Sequence, residues 1–315
     1  MKDSGGVSLS YFLYFRHSAM KKYKAILIGN GTMGKRHRAR FEACGVRFVQ
    51  VVDADDVIVE NNVDFAVIAS PATSHYDYAK YFLERHVAVF VEKPLAISGS
   101  EAQELVELSQ RNRTVLFVAQ SECFNPLFLN FRKHFLTELR SLNRGDAKPV
   151  NARLEFRREH RYSERCRDVN VSLDLLVHDL GLFFTLFKFE DVDVLGKSVV
   201  GMDAVKMRLK VMRGPYKGVE ADFCVNRDSD VDVRTISVSY GRQGGSPGSN
   251  YTVSLARYND DGEIAHIPDS LENEHRFFLK LLAGACTDWG KRLAQTAADC
   301  VKITSRIFLS CEKIC

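Results

Sequence analysis

The sequence predicts an α/β half built on a parallel sheet, followed by a half built on an antiparallel sheet. Three observations predict it. A strand runs straight into a glycine-rich turn and a helix in Ala25-Ile-Leu-Ile-Gly29-Asn-Gly31-Thr-Met-Gly34. Apolar strand-like runs then alternate with helical periods as far as Ala119. Beyond Val150, short β-branched segments recur between turn clusters, as they do in antiparallel sheets.

The elements follow in order. Ala25–Gly29 is the first strand and Lys35–Cys44 the first helix. Arg47–Val52 is a strand that ends in Asp53, and Phe65–Ala69 is the next, stopped at Ser70-Pro71. Tyr76–Arg85 reads as a helix, Val87–Val91 as a strand and Ser98–Arg111 as a helix with Ser98 as its N-cap. Val115–Ala119 closes this half, and Pro126–Leu139 crosses out of it as a helix. Arg140–Pro149 is the expected interdomain loop. The β-rich segments are Val150–Phe156, Val192–Val200, Val205–Val211, Gly218–Val225, Val233–Tyr240 and Tyr251–Ala256. A turn cluster at Arg242–Asn250 precedes the last of them. Leu271–Ala285 and Gly290–Cys311 are helical by period.

Composition narrows the class. At 315 residues, 45% of them hydrophobic, the chain can build two cores. A net charge of +4 without a concentrated basic face argues against nucleic acid as a partner. No apolar run reaches the length of a membrane span. The 8 cysteines form no Cys-x-x-Cys pair and no zinc spacing, so no metal site is expected; they read as reduced thiols of a cytoplasmic protein. Cys311 and Cys315 lack a third ligand nearby. Residues 1–20 precede the first strand by more than the fold needs, and Met20 is read as the natural start, with an N-terminal extension before it. Mass measurement on the native protein decides this.

The glycines have the physical spacing of a dinucleotide site. Gly29 allows a tight turn, Gly31 lets the backbone approach a pyrophosphate, and Gly34 lets helix and strand pack closely. The helix amino terminus then offers free N–H groups and a positive dipole end to phosphates. In Val87-Ala-Val-Phe-Val-Glu92-Lys93-Pro94 a lysine stands at the carboxyl end of a buried strand, where open α/β sheets bind ligands. A solvated strand-end lysine is the plain alternative. In the buried helix around Val171–Phe184, Asp174 and His178 are four residues apart, which puts them on one helical face. A carboxylate beside an imidazole can orient it for proton transfer, and it can equally be a satisfied ion pair.

Taken together, these motifs resemble the glucose–fructose oxidoreductase / inositol dehydrogenase family (Gfo/Idh/MocA) from about Lys22 to the C-terminus. The landmarks are Gly29-Asn-Gly-Thr-Met-Gly34 with His37, Ala69-Ser-Pro71-Ala-Thr-Ser-His75, Glu92-Lys93-Pro94, Phe124-Asn125-Pro126 and Asp174-x-x-x-His178-Asp179. The resemblance implies a Rossmann domain over residues 21–123. An α+β domain with a large, open, mostly antiparallel sheet would follow over 124–315, including the C-terminal helices 271–311. It implies NAD, or NADP, held by Gly29, Gly31, Thr32, Met33, Gly34, Asp53, Ser70, Pro71, His75, Glu92 and Lys93. Lys93, Asp174 and His178 are the implied catalytic residues, with His178 as acid/base. Hydride then passes between nicotinamide and a secondary alcohol. A homodimer or homotetramer through the exposed sheet face is implied as well.

Two features depart from that pattern. Asp53 follows Gly34 by 19 residues (53 − 34), right for the acid that binds the adenosine ribose, yet the next strand starts only 12 residues on (65 − 53). A crossover of about a dozen residues has no room for a further strand as well as a helix. Either a βα unit is missing after Asp53, or Arg47–Asp53 is the third strand and Asp53 misses the ribose. No arginine closely follows Asp53 to receive a 2′-phosphate, which favours NAD. In addition, Cys123 and Gly181 stand where the family often has an arginine and a second acid.

The substrate signal is the run Arg153, Arg157, Arg158, Arg161, Arg165 and Arg167, diluted by Glu155, Glu159 and Glu164. Arginine forks suit phosphates and carboxylates, and a solvated charged loop is the alternative. Arg167-Asp-Val and Ser121-Glu-Cys-Phe-Asn-Pro126 resemble the nucleotide-sugar members of the family, the UDP-N-acetylglucosamine 3-dehydrogenases. An anionic nucleotide sugar is therefore the first expected substrate, bound by Lys93, Asn125, Arg161, Arg165, Arg167, Asp174 and His178. A polyol or free sugar is second. A nicotinamide-binding sensor or scaffold without turnover is a reading of a different class.

Overall fold

The computed structural model describes residues 22–53, 56–59, 62–142, 151–162, 168–241, 250–255 and 269–309. The N-terminal extension, Arg165, Arg167, the turn cluster at 242–249, Cys311 and Cys315 lie outside the described residues. So do residues 143–149 of the expected interdomain loop, and Val150 after it.

The first half is a five-stranded parallel sheet in the order β2-β1-β3-β4-β5. Its strands are β1 (Lys24–Ile28), β2 (Arg47–Val52), β3 (Phe65–Ile68), β4 (Ala88–Glu92) and β5 (Leu116–Ala119). Helices α1 (Thr32–Ala43), α2 (His75–Glu84) and α3 (Gly99–Arg111) make the crossovers. Ser98 caps α3 in a capping box with Glu101, as its sequence position predicts. β2 pairs directly with β1, from Lys24 opposite Arg47 to Ile28 opposite Val52. Arg47–Val52 is therefore the second strand, and the βα unit is missing after Asp53. Gly29 N donates to Val52 O at 2.8 Å, which sets the end of β2 beside the glycine turn.

Helix α4 (Pro126–Leu142) leads to a six-stranded sheet in the order β11-β10-β6-β9-β8-β7. It runs past the expected end because Arg140, Ser141 and Leu142 contain no helix breaker. The strands are β6 (Ala152–Glu159), β7 (Val192–Val200), β8 (Ala204–Val211), β9 (Glu220–Asn226), β10 (Val233–Tyr240) and β11 (Asn250–Ser254). β6 pairs parallel with β9, and every other pairing is antiparallel. Alternation along β6, β9 and β10 sends Phe156, Phe223 and Val238 to one buried face. Helix α5 (Val177–Leu186) covers it, with Phe183 set edge-on against Phe156 and Phe223.

The last two helices return to the first sheet. α6 (Ser270–Leu282) and α7 (Thr287–Leu309) pack on the parallel sheet, not only beside the second one. Such a sheet is apolar on both faces and needs cover on both. Leu27, Phe65, Phe90 and Phe117 face α1 and α6 through Phe41, Phe277 and Phe278. Ile26, Ala66, Val89 and Val118 face α2, α3 and α7, the last through Ala294, Ala297, Ala298 and Val301. The chain thus returns to finish its first domain.

Helix α1 approaches β1 through Gly34. A Cβ there would lie 2.0 Å from Gly29 O. Gly34→Ala should therefore shift α1 outward and destabilise the domain by about 2 kcal/mol or more, in the range of overpacked cores. Urea unfolding of purified variant and wild type reads this, and an unchanged midpoint would contradict it.

Candidate active site

The glycine turn forms a cradle at the carboxyl edge of the parallel sheet. Gly29 has φ +89°, and a Cβ on it would meet Ser70 N at 2.6 Å, so only glycine fits. A Cβ on Gly31 would meet nothing within 4 Å, which marks the open side of the cradle. Gly31 caps α1 without any side-chain hydrogen bond, so the first-turn amides at Thr32 and Met33 face outward unblocked. These features fit the pyrophosphate of a dinucleotide. Asp53 is exposed at the end of the neighbouring strand, where a ribose-binding acid belongs.

Lys93 stands at the end of β4, and its Nζ donates to Asp174 Oδ1 and to the Asp174 carbonyl, both at 2.9 Å. Asp174 Oδ2 accepts from Arg227 Nη1 at 3.4 Å, and Arg227 Nε donates to Asp203 Oδ1 at 2.8 Å. Arg227 is 3% exposed. A chain of alternating charge thus runs from the Rossmann edge into the second sheet. The expected Asp174–His178 pairing does not form: among the described residues the Asp174 carboxylate bonds Lys93 and Arg227. Lys93 takes one carboxylate oxygen and Arg227 the other, and the segment that carries Asp174, Ser172–Leu176, winds as a π turn. Such turns interrupt helices frequently at functional sites.

His178 opens the α-helical part of the same segment, and its Nδ1 is buried with no hydrogen-bond partner. Burial, with the charges of Lys93, Arg158 and Arg234, holds its pKa well below the ordinary 6.5. The imidazole is therefore neutral near pH 7. That is the proton-accepting form, and it arises from cations and burial rather than from an adjacent carboxylate.

Next to it lies a second buried cluster. Arg158 closes its fork on Asp179 Oδ1, from Nη2 at 2.7 Å and Nε at 3.0 Å. Glu122 Oε1 accepts from Arg158 Nη1 at 3.4 Å and from Arg234 Nη1 at 2.6 Å. Burial would raise the Glu122 carboxyl, but Arg158 and Arg234 hold it low. Burial dominates at Asp179 and raises it. Asn125, expected to touch substrate, caps α4 instead: its Oδ1 accepts from Leu127 N at 3.0 Å. Its amide nitrogen donates to Glu122 Oε2 at 3.2 Å and to Leu255 O at 3.4 Å.

Glu92 and His75, expected at the cofactor, are each held by internal hydrogen bonds. Glu92 Oε1 meets His37 Nε2 at 2.7 Å, His37 Nδ1 meets His275 Nε2 at 2.9 Å, and His275 Nδ1 meets the Leu271 carbonyl. With its Nδ1 proton on the Leu271 carbonyl, His275 accepts at Nε2 from His37 Nδ1. His275 is accordingly depressed to about 3, by burial first and His37 second. Glu92 Oε2 also accepts from Lys93 N at 3.1 Å, so the relay from α6 braces the turn that carries Lys93. His75 is buried between Pro94 O at 2.7 Å and Ser70 O at 2.9 Å, clipping the ends of β3 and β4 together. Ser70 Oγ bonds Ser74 Oγ at 2.7 Å, which leaves the Ser70-Pro71 turn as backbone beside the glycine cradle.

The arginine run does not act as one cluster, because β6 continues to Glu159 and alternates. Arg153 and Arg157 point to the outer face and pair with Asp222 and Glu159. Arg158 points inward, and Arg161 is exposed beyond the strand. Sequence reading missed Arg227, Arg234, Glu122 and His275. The signal for the first two was present: each falls in the inward phase of an alternating strand, two residues beyond Val225 and before Ile236.

A glycine cradle, an outlying acid, and a lysine and histidine at the carboxyl edge of a parallel sheet define a Rossmann dinucleotide-binding protein with a second sheet domain. Residues 19–120 match the model of the oxidoreductase family with an NAD-binding Rossmann fold, Gfo/Idh/MocA. Over that domain the chain is similar to the Gfo/Idh/MocA oxidoreductases. It is 28% identical over 186 residues to the UDP-N-acetylglucosamine 3-dehydrogenase of Acidithiobacillus ferrooxidans, which covers 59% of this chain and 54% of that protein. The chain thus aligns with about half the length of this curated relative. A solved structure of UDP-N-acetylglucosamine 3-dehydrogenase GnnA from Acidithiobacillus ferrooxidans superposes with a TM-score of 0.67. It shares 17% identity and covers 91% of this chain and 99% of its own. The WlbA dehydrogenase from Bordetella pertussis, in complex with NADH and UDP-GlcNAcA, gives 0.69 at 14% identity, over 93% and 97%. At these identities the likeness is one of fold. It bears out the two-domain architecture, a Rossmann sheet followed by a mostly antiparallel one.

Removal of the Asp174 carboxylate leaves Lys93 and Arg227 without their shared counter-charge. Asp174→Ala should cost about 3–5 kcal/mol, the range for breaking a buried ion pair. Chemical denaturation measures this, and a loss below about 1 kcal/mol would show that the carboxylate does not hold the two halves together.

Proposed function

We propose that this chain is an NAD-dependent dehydrogenase that oxidises a secondary alcohol of a sugar, most readily a nucleotide sugar. The observation that carries the proposal is the bond of Lys93 to Asp174 at the carboxyl edge of the glycine-cradle sheet, with His178 four residues further along the same segment. A sensor or scaffold has no use for a depressed imidazole beside a fixed ammonium group. The dehydrogenase names of the relatives support the chemistry. UDP-N-acetylglucosamine and UDP-GlcNAcA, named with two of them, support the substrate class.

In this reading His178 accepts the proton of the substrate hydroxyl. Lys93 donates a hydrogen bond to the same oxygen as negative charge develops on it. Asp174 holds the ammonium group in place, and Arg227 holds Asp174. The bound nicotinamide supplies the hydride acceptor. Gly29, Gly31 and the first turn of α1 at Thr32 and Met33 hold the pyrophosphate, and Asp53 the adenosine ribose. With no arginine closely following Asp53 in the sequence to receive a 2′-phosphate, NAD is preferred over NADP. Assembly of copies through the outer face of the six-stranded sheet, as a homodimer or homotetramer, belongs to the same reading; light scattering reads it directly.

Purified protein with NAD and a panel of UDP-sugars should develop the absorbance of reduced nicotinamide with at least one sugar. Silence with every nucleotide sugar, polyol and free sugar would end the dehydrogenase reading. Lys93→Ala and His178→Ala should each lower kcat by about 10²–10⁴, the range for a lost acid/base or oxyanion group. Wild-type rates in either variant would remove that residue from the mechanism.

The pH dependence follows from the sign of the His178 shift. A base with a depressed pKa stays unprotonated, and competent, below the ordinary 6.5. The rate at saturating substrate should therefore stay flat through that region and fall only in more acid solution. An acid limb centred at the ordinary imidazole value would show that the cations do not act on His178.

A further inference from the structure

Arg158 and Arg234 stand directly opposite each other on the antiparallel strands β6 and β10. Like charges in that register repel. Glu122 relieves the repulsion by taking both guanidinium groups on Oε1. The two arginines then differ. Arg158 is 4% exposed and locked on Asp179. Arg234 lies on the same inner face, in phase with buried Ile236, Val238 and Tyr240, yet its side chain is 44% exposed. It therefore stands where the inner face emerges from beneath its helices. That end of the sheet meets Glu122, which follows β5 at the carboxyl edge of the Rossmann sheet.

Among the described residues, the Arg234 side chain makes one hydrogen bond, from Nη1 to Glu122. Its Nε and Nη2 remain for a ligand, and a guanidinium fork matches the paired oxygens of carboxylate or phosphoryl groups. The local field favours such a ligand. Arg158 acts on Arg234 as a repelling charge, and both act with Lys93 on His178. An incoming anion relieves that repulsion at the one arginine that solvent can reach.

We propose that Arg234 receives an anionic group of the substrate, a carboxylate or a phosphoryl group, on the His178 side of the cleft. The identity of the ligand as substrate rests on the dehydrogenase reading; the anion site rests on the sheet geometry. It gives the anionic sugar a receptor that the sequence reading did not name.

Calorimetric titration of the NAD-loaded protein tests it, with wild type, Arg234→Gln and Arg234→Lys. Four ligands separate the chemistry: UDP-N-acetylglucosamine carries phosphoryl groups, its 6-uronic acid carries both groups, glucuronate carries only a carboxylate, and myo-inositol is neutral. Arg234→Gln should weaken at least one anionic ligand about tenfold or more, the scale of a charge-assisted hydrogen bond, and leave inositol unchanged. Arg234→Lys should fall between. Loss confined to glucuronate and the uronic acid assigns a carboxylate; loss shared by both UDP-sugars assigns a phosphoryl group. Unchanged binding of every anionic ligand overturns the proposal, and so does a wild type that binds none of them. Thermal melts check folding, and if the glutamine variant fails to fold, the lysine variant decides by its own several-fold loss. Anion binding that depends on Arg234 without any reduced nicotinamide would keep the site and end the dehydrogenase reading. Turnover of an anionic sugar that binds Arg234→Gln as tightly as wild type would do the reverse.

Discussion

The bond from Lys93 to Asp174 is the contact on which the rest of the site depends. Lys93 comes from the edge of the parallel sheet, and Asp174 comes from the segment that opens the helical cover of the second sheet. Both groups are largely removed from water, at 15% and 8% side-chain exposure, so neither charge tolerates loss of the other. Asp174 lies in the π turn and meets the lysine with both its carboxylate and its carbonyl. Its other carboxylate oxygen accepts from Arg227. Burial and the field of Lys93, Arg158 and Arg234 hold the pKa of the His178 imidazole well down.

A second constraint brings the two halves together. A parallel sheet that is apolar on both faces needs helices on both, and the shortened first half supplies too few. The C-terminal helices make up the difference, with Phe277 and Phe278 on one face and Ala297, Ala298 and Val301 on the other. The return of α6 also brings in His275, which completes the buried relay to His37 and Glu92 behind the lysine turn. Core packing and the placement of Lys93 are therefore one problem with one solution.

Much of this was legible in the chain. Gly29, Gly31 and Gly34 are local requirements of a turn and a close helix, and they stand where their spacing put them. Lys93 at a strand end needed only an apolar run and a proline. Asp174 and His178 were found as residues, but their pairing was misread, because spacing along a helix does not show that Lys93 and Arg227, distant in sequence, take the carboxylate. The arginines were misread for a different reason. Taken as a charge run, Arg153 to Arg167 looked like one patch. Two-residue alternation divides Arg153 and Arg157 from Arg158, and applied to β9 and β10 it would also have drawn out Arg227 and Arg234.

What the sequence by itself determined is whatever depends on neighbours along the chain: the strand-turn-helix of the glycine cradle, the capping box at Ser98, the alternation of the strands, and an interval between Asp53 and Phe65 too short for a further strand as well as a helix. The choice between the two readings of that interval was decided only by β2 pairing with β1. Tertiary structure likewise decided which carboxylate serves Lys93, which nitrogen of which histidine meets Glu92, and where Arg234 emerges. The physical reason is the same in each case. Hydrogen bonds and charges act over a few ångströms between groups as far apart in sequence as His37 and His275, and no local pattern records which of them folding will bring within reach.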